Sequence, residues 1–245
     1  MPYFCALGAI FILYIGVKAH KNSAEKNLNF NEFGFYQCVK TRLIHAFSRK
    51  MILNHTDWNI NEQGLPLNHW DMLATYLGFS VVFLEGLIKL GFNFTEEEKN
   101  ATYHLWRYIG YLLGIPDQIL PQNHLQAIEA LYLWTNTQPQ ADNDTIMLAK
   151  ALYLEPILAN FPKPMLGKKF IQQVNLAFNH YFIGPKSCNI LQLPNAEWFH
   201  KSIIIVKYIN KLDLFLANNS SFYTQKLISK GHKEQQIILE QAFRK

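Results

Sequence analysis

The 245-residue chain has little charge. Asp, Glu, Lys and Arg make up 17% of it, while 49% is hydrophobic; soluble domains usually carry roughly 25% charged residues. This balance excludes an intrinsically disordered chain, which lacks the apolar surface to offset the entropy of ordering. It predicts one sizeable globular domain. Cysteine is scarce. Cys5, Cys38 and Cys188 are odd in number and far apart, so no CxxC pair, zinc spacing or CxxCH haem-attachment motif exists, and a reducing, cytoplasmic setting fits them. Basic runs are missing too. The net charge of +5 is scattered, which excludes the concentrated patch that nucleic-acid binding requires.

Several reaction classes drop out for want of a motif. There is no GxSxG elbow, no P-loop and no dinucleotide fingerprint. The nine histidines form no HxxxH or HExxH, and the two Glu-x-x-His motifs of a di-iron bundle are lacking. The N-terminal run PYFCALGAIFILYIGV has sixteen residues, short of the ~20 that span a bilayer. It has no basic leading region and no small-residue cleavage site. It reads as an apolar helix over 1–19, either buried or in weak contact with a membrane.

What the sequence does carry is helical punctuation. A helix is predicted from about Gly34 to Leu53. Asn68 caps the next, with Asp71 in its first turn, and the run from Met72 to Leu84 holds no charge, which places that helix centrally. Gly91 ends it. Thr95 and Glu98 form a capping box for a helix that stops at Gly114. Further helices are predicted over 123–137, 143–160, 164–183, 195–217 and 220–243, with Gly184-Pro185 and Leu193-Pro194 as breakers. The best strand candidate is SIIIVKYI at 202–209, since β-branched residues favour sheets, but it has no hairpin partner. The expected fold is all-α.

One helical stretch, TRLIHAFSRK at 41–50, stacks an arginine on either side of a histidine. At ~100° per residue, Arg49 falls about 40° and Arg42 about 60° from His45. Cys38, Thr41 and Ser48 share that face, while Val39, Leu43 and Phe47 lie opposite. A neutral imidazole nitrogen is what binds a metal, and two nearby guanidinium groups work against protonation of the ring. The arginines themselves suit carboxylates, such as haem propionates or a bound acid. A solvated basic stripe would show the same spacing.

The blocks TRLIHAFSRKMI, PLNHWDMLATYLGFS and TEEEKNATYHLWRYIGYLLGI, with the later FNHYFIGPKSCNILQLP, resemble the rubber-oxygenase family, which includes latex-clearing proteins and a fungal endoplasmic-reticulum oxygenase. The resemblance covers about 35–195. It implies a single all-helical domain of the latex-clearing type over 1–245, with the N-terminal helix shortened relative to the family, and a non-covalent haem b. His45 matches the axial iron ligand. Arg42 and Arg49 match two neighbouring arginines, and Thr75 a threonine on the following pocket helix. The implied reaction is dioxygen-dependent cleavage of an isoprenoid carbon–carbon double bond.

The chain also departs from the family. The lysine and threonine that latex-clearing proteins carry on an earlier helix have no counterpart in 2–17. Leu77 stands where some members have histidine, and His180 where arginine is common. The expectation is a haem-dependent oxygenase-like oxidoreductase. Its metal ligand is His45, its cofactor-binding residues are His45, Arg42 and Arg49, and its catalytic residues are Arg42, Arg49 and Thr75. Its partners are a small apolar substrate and dioxygen. Two other readings stay open: a non-catalytic haem sensor or carrier, and a cofactor-free helical interaction protein.

Overall fold

Every regular element among the described residues is helical, in a computed structural model that describes residues 32–158, 164–195 and 200–243. The expected all-α class is met. The expected helix over 1–19 lies outside the described residues. The chain divides into two compact units. One holds the described residues up to Glu85 together with Asn93–Gln138; the other holds Gly86–Phe92 and those from Pro139 onward.

The first unit contains α1 (Phe33–His55), the short α2 (Ile60–Gln63), α3 (His69–Leu77), a π-helical turn (Gly78–Val82) and the start of α4 (Phe83–Lys89). It continues with α5 (Glu96–Leu113), a 3-10 turn (Asp117–Ile119) and α6 (His124–Thr137). Side-chain caps set these boundaries. The Asn68 carbonyl oxygen accepts from the backbone N–H groups of Trp70 and Asp71, and its amide donates to the Asp71 carboxylate at 2.7 Å. Asp71 is thereby committed to the helix start. Thr95 and Glu98 close the capping box, and Gly114 ends α5 in the left-handed conformation at φ 95°.

The uncharged run of the sequence fills the core of this unit. Leu73, Leu77, Val81 and Leu84 are buried, and each such side chain stabilises the fold by about 1.5–3 kcal/mol. The stretch 69–89 is long and apolar enough to cross a membrane by length and composition, and 44% of its most apolar window is buried inside the protein. The π turn interrupts its regular hydrogen bonding. The Phe83 N–H donates to the carbonyls of Gly78 and Ser80, and the buried Ser80 hydroxyl donates to the Tyr76 carbonyl at 2.8 Å. Such a turn inserts a residue and re-aims the side chains after it. Thr75, Gly78, Phe79 and Val82 are left exposed.

The second unit contains α7 (Asn143–Leu158), α8 (Met165–Ile190), α9 (His200–Asn219) and α10 (Ser221–Phe243). Gly184 takes φ 79° and ψ 165° within α8, with Pro185 directly after it, so the predicted breaker appears as a kink between two helical halves. The strand candidate 202–209 is helical. Ile203 packs into a buried cluster with Leu176 and Ala177, walled by Tyr153, Phe178 and Tyr181. That packing outweighs β propensity, which is weak and context-dependent.

Candidate functional site

The candidate residues from the sequence lie on α1 and α3. His45, midway along α1, is half-buried. Its Nδ1 is shielded from solvent and has no hydrogen-bond partner among the described residues. Buried ring nitrogens are normally satisfied, and leaving one unpaired costs about 1–3 kcal/mol. Cys38, two turns earlier on the same face, is a half-buried thiol whose pKa is raised by burial. It is a packed thiol rather than an activated one.

The two arginines have different surroundings. Arg49 turns toward the loop before α3: its Nε donates to the Pro66 carbonyl at 3.0 Å and its Nη2 to the Leu67 carbonyl at 2.5 Å. Leu67 holds φ 53°, a left-handed conformation that a leucine rarely adopts. Arg49 thus ties α1 to a strained link that launches α3. Arg42 is exposed and makes no hydrogen bond or ion pair among the described residues. Its guanidinium lies along Gly114, where an added Cβ would stand 3.0 Å from Nε and 3.1 Å from Cζ. Gly114→Ala therefore meets both a steric neighbour and a left-handed backbone. The expected cost is about 1–2 kcal/mol, read as a lower urea midpoint with an unchanged slope.

An open cleft of about 670 Å³ runs along Arg42. Phe35, Val39, Leu43 and Ala46 of α1 form one wall, and Tyr111, Ile115 and Pro116 belong to the other. Its lining does not include His45. The cleft opens on the side of α1 that carries Val39 and Leu43, which lie away from His45.

Thr75 is exposed. Its hydroxyl reaches back to the Asp71 carbonyl at 3.5 Å, a long and weak bond. No hydrogen bond joins it to α1. One turn after Thr75, Phe79 stacks on Trp106 with ring centroids 5.3 Å apart, and Arg107 pairs with Asp117 at 2.6 Å. Trp106 and Arg107 pack and brace this unit.

A titratable chain in the same unit was not visible in the sequence. The Tyr103 hydroxyl shares a 2.7 Å hydrogen bond with His124 Nδ1, and His124 Nε2 faces Glu85 at 3.3 Å. The partners lie 21 and 39 residues apart, beyond any helical spacing. Burial pushes the Tyr76 hydroxyl up to about 12, and burial, with Tyr76 and Glu85 nearby, raises Tyr103 in the same direction. An unfolded tyrosine ionises near pH ~10. Above that pH the unfolded chain releases its protons first, so stability is fully present below pH ~10 and declines as the pH rises toward ~12. Unfolding should therefore coincide with the rise of tyrosinate absorbance in that window. Stability that stays flat across it would contradict the burial of these two hydroxyls.

No group of three or more His, Cys, Asp or Glu side chains that could hold a bare metal ion occurs among the described residues. A porphyrin iron asks less of the protein: one axial nitrogen, cations for its carboxylates and apolar cover. His45 Nδ1 and Arg42, both without a hydrogen-bond partner among the described residues, supply a nitrogen and a cation of that kind, although the cleft along Arg42 does not reach His45.

A family model described as "ER-bound oxygenase mpaB/B'/Rubber oxygenase, catalytic domain" matches residues 37–205. The chain is similar to the rubber oxygenase of Streptomyces sp. (strain K30), with 22% identity over 127 residues, which covers 51% of this chain and 26% of that protein. The match thus spans about a quarter of that relative's length. No solved structure matches the chain.

Proposed function

The chain belongs to the family of ER-bound oxygenase mpaB/B' and rubber oxygenase catalytic domains, and from that premise we propose a haem b oxygenase-like protein acting on a small apolar, isoprenoid-type substrate with dioxygen. The single observation that supports the haem assignment is His45, whose ring holds a buried nitrogen with no hydrogen-bond partner among the described residues. When bound, haem iron supplies the dioxygen activation that no side chain can provide.

The chain's own residues have separable tasks. His45 would hold the haem iron through an imidazole nitrogen. Arg42, which makes no hydrogen bond or ion pair among the described residues, would offer its guanidinium to a carboxylate. Arg49 contributes indirectly, because its donors are committed to the carbonyls of Pro66 and Leu67; it fixes where α3 begins. Thr75 has a weakly engaged hydroxyl for orienting a ligand, and exposed Phe79 and Val82 on the same stretch provide apolar surface that excludes water. The cytoplasmic setting and the contact of residues 1–19 with a membrane belong to this proposal as well.

A second reading, haem binding without turnover, is favoured by one feature: residues 2–17 contain neither lysine nor threonine. Dioxygen uptake separates the two. Haem-loaded protein with a farnesyl-type or polyisoprene substrate is expected to consume dioxygen and yield carbonyl-terminated fragments in mass spectrometry. Haem-loaded protein that consumes none would leave the binding-only reading standing.

A further inference from the structure

The second unit exposes an apolar stripe along α9. Ile204, Ile205, Tyr208, Ile209, Leu212 and Phe215 are all between 48% and 71% exposed. At ~100° per residue they fall within an arc of about 140° and extend about 17 Å along the helix. The opposite side of α9 is inward: Ile203, Asn210 and Leu214 are buried, and the Asn210 amide donates to the Leu90 carbonyl at 2.9 Å. A contiguous apolar face of this kind on a folded unit marks a surface that something covers.

Charge identifies the covering partner. From residue 164 to 243 the sequence has nine lysines against four carboxylates, Glu197, Asp213, Glu234 and Glu240, and Asp213 is the only carboxylate on α9. Asp213 is half-buried and accepts a 2.6 Å hydrogen bond from the Tyr223 hydroxyl. Exposed Lys201 leads into the stripe and exposed Lys211 borders it. A second copy docked here by a two-fold axis would offer these lysines a single carboxylate on its own α9, Asp213, which the Tyr223 hydroxyl already engages. An anionic lipid surface complements both features at once. Large apolar side chains enter the headgroup boundary while lysines extend to phosphates and carboxylates.

We propose that α9 is a peripheral membrane-docking face, lying in the plane of an anionic bilayer through the stripe from Ile204 to Phe215, with Lys201 and Lys211 on headgroups. This stands independently of the haem assignment and of residues 1–19.

The test is co-sedimentation of the full chain with mixed phosphatidylcholine–phosphatidylserine vesicles and with phosphatidylcholine vesicles. Wild-type protein should pellet with the anionic vesicles far more than with the neutral ones, and added salt should weaken the binding. Ile205→Asp/Leu212→Asp should release it to the supernatant. Lys201→Gln/Lys211→Gln should weaken partitioning by about fivefold per lysine removed. Thermal melts check that each variant remains folded, which the exposure of all four positions favours. Wild-type protein that stays in the supernatant would overturn the proposal. So would an Ile205→Asp/Leu212→Asp variant that pellets like wild type, or a wild-type dimer that this variant dissociates.

Discussion

His45→Ala is expected to abolish haem binding without weakening the protein that lacks haem. The wild-type ring keeps Nδ1 buried and unpaired, a penalty of about 1–3 kcal/mol. Removing the ring relieves that penalty and forfeits some packing of a half-buried side chain, so unfolding should shift by no more than about 1 kcal/mol. A histidine that merely braced α1 would behave in the opposite way: its loss would destabilise the protein and leave the iron spectrum alone. The same logic gives a thermal signature. A ligand bound only by the folded state raises stability, by about 2.7 kcal/mol at a hundredfold excess over Kd. Haem should raise the melting temperature of wild-type protein and leave that of His45→Ala unchanged.

Arg49→Met is expected to destabilise the protein strongly for a change at a half-buried position. A charged guanidinium that donates to two backbone carbonyls is worth about 1.5–3 kcal/mol, and methionine keeps the length of the side chain while removing every donor. The Pro66 and Leu67 carbonyls lose their partner, and Leu67 loses what holds it at φ 53°. Equilibrium urea unfolding should show a loss of about 2–3 kcal/mol. Leu67→Gly in that background should restore part of it, because glycine takes the left-handed conformation without penalty. If Arg49→Met proves neutral, or if glycine at 67 recovers nothing, the clamp is wrong.

The helices were legible where a side chain acts on its own neighbourhood. Thr95 and Glu98 announce a capping box three residues apart, Asn68 announces a helix start, and Gly114 and Gly184 mark where the chain must turn left-handed or kink. The uncharged run from Met72 to Leu84 correctly placed the central helix, since burial of Leu73, Leu77 and Val81 follows from composition alone. The β-branched run at 202–209 lay inside the helix predicted over 195–217 and is helical, because β-branching at Ile203 is a local preference and its packing against Leu176 and Ala177 is a tertiary fact.

The candidate site was legible only in part. The spacing of Arg42, His45 and Arg49 gave a shared face, but not that the second arginine spends its donors on carbonyls 17 and 18 residues away. Backbone acceptors leave no trace in side-chain patterns. The π turn at Gly78–Val82 was equally hidden, because one inserted residue does not alter the hydrophobic content that periodicity reads. The Tyr103–His124–Glu85 chain depends on α4, α5 and α6 packing together, which no local motif encodes.

The most direct test of the central claim is a haem titration of the purified full-length chain followed by absorbance. A Soret band that saturates at one haem per chain, in the wild-type protein and not in His45→Ala, is the predicted result. A wild-type spectrum indistinguishable from free haem would contradict the assignment of His45 as the iron ligand.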